Sequence, residues 1–195
     1  MSAPSASEHW LSVVSSLRVD RKGGNIAPHK PLLLLVLAEL AEQGKLREAS
    51  LPLTGELVFR FLTFWTVVAA RRPQRPDIIL PFFHLRREGC WEPLDQAGKP
   101  TLERRRAVAA KLDETFLACL NDAQFREQLR RVLIARYFTD PGERAALYSL
   151  VGLPVPPNDV VRADARMFEA AKERGREARF RLTVVAAYDY TCALT

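Results

Sequence analysis

Cysteine pairs, metal-ligand spacings and long apolar stretches are all missing from this 195-residue sequence. Its three cysteines, Cys90, Cys119 and Cys192, stand far apart without a CxxC pair. That excludes a disulfide framework and a self-contained zinc knuckle, and it predicts a reducing, cytoplasmic setting. The longest unbroken apolar run, Leu32 to Ala38, is far short of the roughly 18 residues that cross a bilayer. The opening MSAPSASEHW has neither a basic nor an apolar signal region, so neither a membrane span nor a secretory signal is expected. His9, His29 and His84 share no ligand spacing, and there is no Ser-His-Asp grouping, phosphate-binding glycine loop or nucleotide fingerprint. Catalysis, a metal and a cofactor are therefore not expected of these residues themselves.

What is present is enough apolar material for one core, 48% hydrophobic against 27% charged residues. Lys and Arg number 29 against 23 Asp and Glu, a net charge of +6. This biases the protein towards a polyanion, or else describes a solvated basic surface.

Apolar residues at three- and four-residue steps predict helices at about Ser7 to Val19, at Pro31 to a stop at Gly44, and at Thr54 to Ala70. Further helices are predicted over Leu102 to Leu120, Ala123 to Tyr137 and Pro141 to Val151, with Asp122 and Asp140 as N-caps. The run IILPFFHLRREGCWEPL from Ile78 carries β-rich segments on either side of Glu88-Gly89. It predicts a short hairpin with Pro81 on an edge strand and Phe82 and Phe83 on opposite faces. GLPVPPND from Gly152 breaks helix repeatedly. Beyond it, Arg162, Arg166, Lys172, Arg174, Arg176, Arg179 and Arg181 outweigh four acids in a basic helix. The expected fold is mainly α: a single compact helical domain with a small β-hairpin, followed by a basic linker helix. The boundaries fall at 1–152, 153–178 and 179–195.

Several basic and aromatic positions carry two readings. Lys22 flanks the paired Gly23 and Gly24, where backbone could approach a phosphate closely. His29 and Lys30, between Pro28 and Pro31, sit where free N–H groups of a helix start attract anions; otherwise they form a solvated turn. Arg71, Arg72 and Arg75 either line a DNA backbone or solvate a loop. His84 is a half-buried structural histidine or, beside Arg86 and Arg87, a DNA-facing group. Arg162 and Arg166, one helical turn apart, could read guanine edges or belong to a solvated connector.

Three segments, APHKPLLLLVLAEL, LPFFHLRREGCWE and IARYF, together resemble the N-terminal sulfur-binding domain of McrA-like type IV restriction endonucleases. The closing FRLTVVAAYDYTCALT resembles the first strand and turn of an HNH nuclease domain. The resemblance implies binding of double-stranded, phosphorothioate-modified DNA. It implies a sulfur pocket walled by Phe83 and His84, with Arg86 beside them, and by Phe138 and Thr139. Thr139 stands where the family carries proline, with Pro141 and Gly142 close enough to compensate. It also implies an HNH domain whose divalent-metal histidines lie beyond Thr195, so the complete protein is expected to be a metal-dependent type IV restriction endonuclease. Two other readings stay open: a reader of methylated or unmodified DNA of the same build, and a helical protein-interaction module whose Arg-rich helix binds an acidic partner. Oligomeric state is left open.

Overall fold

The computed structural model describes residues 4–22, 25–71, 74–160 and 165–190. Helix α1 (Ala6–Ser15) opens on a capping box in which Ser5 and Glu8 satisfy each other's backbone N–H groups. It stops short of the expected Val19 because the Leu17 N–H turns away to the Tyr137 hydroxyl at 2.7 Å. A two-residue ladder, β1 (Arg21–Lys22) with β2 (Asn25–Ile26), follows. The expected glycine turn at Gly23 and Gly24 lies outside the described residues.

The centre of the molecule is α2 (His29–Glu42), in which every residue from His29 to Ala38 is buried. It begins two residues before Pro31. The missing proline N–H costs nothing in a first turn, where N–H groups have no helical acceptor. Leu32 to Leu35, Val36 and Leu37 are fully enclosed, and each contributes about 1.5–3 kcal/mol of burial. Against α2 pack α3 (Gly55–Val68), capped by Thr54, and α6 (Ala123–Tyr137), capped by Asp122, while α7 (Pro141–Leu150), capped by Asp140, packs on α3 and α6. Both expected aspartate caps are present.

Two sequence expectations are corrected. Ile79–His84 forms a short helix, α4, continued by a 3-10 turn at Leu85–Glu88, where a strand was expected. Pro81 sits in its first turn, and Trp91 donates its indole N–H to the Phe82 carbonyl at 2.8 Å, closing the helix end. Helical spacing turns Phe82 and Phe83 both inward, instead of to opposite faces. The predicted helix over Leu102 to Leu120 is instead a 3-10 turn at Arg104–Arg106, strand β5 (Ala109–Leu112) and helix α5 (Glu114–Asn121), capped by Asp113. β5 is the centre of an antiparallel sheet between β3 (Ser50–Pro52) and β4 (Trp91–Leu94). The edge-strand prolines are Pro52 and Pro93, not Pro81.

After a short α8 (Pro157–Val160), α9 (Ala165–Ala187) runs unbroken through residue 179, so the strand expected from Phe180 is helix as far as Ala187. It is no solvated connector. Phe168, Ala171, Gly175, Ala178 and Leu182 are buried in a stripe packed on α7 and α3. A Cβ at Gly175 would stand 2.1 Å from the Ala146 carbonyl oxygen, so hydrogen there is what lets the two backbones approach. Two left-handed residues, Asp189 and Tyr190, then fold the Tyr190 ring under Lys45 and Arg60 at 5.2 and 5.5 Å. The predicted HNH segment from Thr191 onward lies outside the described residues.

Candidate nucleic-acid interface

The loop after α1, the first turn of α2 and helix α4 enclose a cavity of about 280 Å³. Val19, Ala27, Leu80 and Pro81 give it apolar walls, while Arg18, Asp20, His29, Lys30, His84 and Arg87 complete the lining. Its shape is fixed from below by Lys30, whose ammonium donates to the Arg18 carbonyl at 2.9 Å and to Glu88 at 2.5 Å. These two side chains are only 9% and 6% exposed, so the pair is buried and the lysine's charge is compensated. Tyr137 at the end of α6 anchors the same loop, accepting from Leu17 N–H and donating to the Val14 carbonyl at 2.8 Å.

Both histidines of the cleft favour the neutral form. His29 rests on the Trp65 ring and bonds the Arg75 carbonyl through Nε2 at 2.9 Å, and burial holds its pKa below the usual histidine value. Burial and then the positive charges of Arg87, Lys30, Arg104 and Arg86 lower His84 likewise. His84 Nδ1 is buried without a hydrogen-bond partner among the described residues. The Cys90 thiol behind Glu88 is pushed up to about 12 by burial and by that carboxylate, so it stays a protonated packing group. The cleft thus has apolar walls over a charge-compensated floor, and a rim on which the exposed Arg18 and Arg87 outnumber the exposed Asp20.

Of the residues singled out from sequence, His29, Lys30 and His84 meet in this cleft. Phe83 lies just behind it, nearly enclosed, with the Arg86 guanidinium 4.6 Å above its ring. Phe138, Thr139 and Gly142 do not line it. Phe138 is fully buried as the C-cap of α6, Thr139 is exposed, and Gly142 faces Asp140 and Ala171. Lys22 lies in β1 and Arg71 closes the 3-10 turn after α3, with no side-chain position described for either. Arg72 and Arg162 lie outside the described residues, and Arg166 is exposed on the first turn of α9. Sequence reasoning missed Arg18, Leu80 and Pro81 as lining residues. A helical reading of LPFFH would have put Leu80, Pro81 and His84 on one face.

The sequence pattern of ScoMcrA-like DNA sulfur-binding domains matches residues 7–155. Among solved structures, the chain is similar in fold to the sulfur binding domain of SprMcrA complexed with phosphorothioated DNA. The TM-score is 0.57 at 22% identity, covering 75% of this chain and 94% of that one. No curated protein matches the sequence. With an apolar-walled cleft that carries Arg18 and Arg87 at its rim and a family match spanning most of its length, the chain belongs to the ScoMcrA-like family of DNA sulfur-binding domains, which are binding modules.

Proposed function

We propose that this chain recognises phosphorothioate-modified double-stranded DNA and that the cleft between the α1–β1 loop and α4 receives the sulfur. The observation that carries the reading is an apolar-walled, charge-compensated interior inside a rim where Arg18 and Arg87 outweigh Asp20. Sulfur replacing a non-bridging phosphate oxygen is larger, more polarisable and a weaker hydrogen-bond acceptor. An oxygen placed against Val19, Leu80 and Pro81 loses its water without a replacement donor, at about 1–3 kcal/mol. Sulfur loses less and gains dispersion with those walls. Pro81 offers the flat apolar ring that position 139 lacks. Phe83 and Arg86 back His84, and the exposed Thr139, with Phe138 buried beneath it and Gly142 nearby, supplies a second DNA contact outside the cleft. Lys22, His29, Arg71 and Arg72 flank the phosphates, with Lys30 setting the floor, and Arg162 and Arg166 reach base edges.

In the complete protein this module would bring an HNH nuclease to modified DNA, the role of a type IV restriction endonuclease in the cytoplasm. Among the described residues no three His, Cys, Asp or Glu side chains are grouped to hold a metal ion, so that chemistry would need residues outside them. The deciding experiment titrates the chain into two duplexes of one sequence, one with a single-stereoisomer phosphorothioate and one with ordinary phosphate, at two salt concentrations. A preference of about tenfold or more, or about 1.4 kcal/mol, that survives salt is expected. Equal, salt-sensitive binding across sequence contexts and both stereoisomers would overturn the proposal.

A further inference from the structure

The connection between β4 and β5 is pinned at both feet and exposed between them. Thr101 donates its backbone N–H to the Pro93 carbonyl at 2.9 Å, and Val108 donates to the Leu94 carbonyl at 2.9 Å. Thr101 and Ala107 are buried. Arg104, Arg105 and Arg106 project from the 3-10 turn between these anchors, all exposed. Arg106 is tied to Asp95 at 3.4 Å and to Glu103 at 3.5 Å. Arg104 and Arg105 make no ion pair among the described residues. The turn packs against α4, and Arg104 lies close enough to His84 for its charge to bear on the imidazole.

An ordinary solvated arginine cluster has no reason to be held rigidly beside a ligand cleft with two of its charges uncompensated. We propose that Arg104 and Arg105 form a second phosphate-binding station, gripping the DNA backbone beside the cleft on its α4 side. This rests on the DNA-binding reading above but not on sulfur selectivity. Buried feet fix the backbone from which the two guanidiniums reach, so they would set register on the duplex without sensing whether a neighbouring phosphate carries sulfur. Their planar forks suit two phosphate oxygens each.

The test compares wild type, Arg104→Ala/Arg105→Ala and Arg104→Lys/Arg105→Lys on the thio and ordinary duplexes across a salt series. For the alanine pair, affinity should fall about fivefold to tenfold for both duplexes at low salt. The slope of log affinity against log salt should shallow by about 0.9 per lost contact, and the thio preference should be kept. The lysine pair should retain most of the slope, and unchanged thermal melting would exclude a folding defect. Unchanged affinity and slope in the alanine pair would overturn the proposal, as would a loss confined to the thio duplex, which would make these arginines part of the sulfur site. If wild type shows no thio preference while the alanine pair still loses affinity and slope, the station stands and the sulfur reading fails.

Discussion

Glu88→Gln separates the two roles of the buried pair beneath the cleft. The carboxylate lies 2.5 Å from Lys30, and neither side chain is more than 9% exposed. The amide keeps the shape and one acceptor oxygen, and the Arg18 carbonyl still takes one ammonium hydrogen, but the counter-charge is gone. Breaking a buried pair costs about 3–5 kcal/mol, and the surviving neutral partners place this variant near the lower end, at about 3 kcal/mol. For a chain of this size that corresponds to a melting-temperature drop of about 6–12 °C. The uncompensated ammonium would then face the cleft, where it rewards oxygen as hydrogen-bond acceptor more than sulfur. Affinity for the ordinary duplex should rise about fivefold, roughly 1 kcal/mol, and the thio preference should shrink by a similar factor. Lys30→Met combined with Glu88→Gln should recover much of the stability and the preference together. Denaturant unfolding and paired duplex titrations read both effects. A single variant within about 0.5 kcal/mol of wild type, with unchanged thio preference, would refute the idea that charge compensation keeps the cleft apolar in character.

Tyr137→Phe should cost about 1–3 kcal/mol in urea unfolding, because the Leu17 N–H and Val14 carbonyl lose their shared partner. DNA affinity should fall with it, since that hydroxyl holds the loop of Arg18. Gly175→Ala should lower thermal stability by about 1–3 kcal/mol of overpacking, despite alanine's better helix propensity. The Ala146 carbonyl is backbone and gives way only if α9 moves off α7. His29 has its pKa lowered in the folded state, so the unfolded chain binds the extra proton first, and stability from this group is complete above about pH 6.5 and lost as pH falls below it. Glu39, whose pKa burial raises, acts in the opposite sense at lower pH. The check is therefore the difference in unfolding free energy between wild type and His29→Gln, which should grow in favour of wild type from pH 5 to 7.

Legibility in the sequence followed the strength of the local signal. The α2 run, the Gly55–Val68 helix and the helices capped by Asp122 and Asp140 were readable because periodicity, caps and breakers agreed. Ala107 to Leu112 failed because alanine is the best helix former, while its alternating burial as a central strand depends on partners at Ser50–Pro52 and Trp91–Leu94. Ile79–His84 failed because its aromatic content suits a strand, while the helix is held by Asp77 accepting the Ile79 N–H at 2.9 Å and by the Trp91 indole donating to the Phe82 carbonyl. The site was half readable for the same reason. His29, Lys30 and His84 stood out as types, but that Lys30 is compensated while Arg18 and Arg87 remain at the rim is a fact of packing between segments far apart in the chain.

That division of charge bears on how one protein can read a single atom in a polyanion. The negative charge of a phosphorothioate differs little in amount from that of a phosphate, so cations at the reading atom would bind both and distinguish neither. Here the two groups of charge are kept apart. Lys30 lies at the floor with Glu88 against it, and the histidines are held towards neutrality. The exposed Arg18 and Arg87 stand at the rim, where the proposed reading brings neighbouring phosphates. Affinity can then be supplied at the rim and vary steeply with salt, while discrimination is supplied inside and varies little. Lowering the pH should couple the two. Protonating His84 would put a donor and a charge inside the cleft, so the thio preference should narrow as pH falls below the ordinary histidine range, even as total DNA affinity rises.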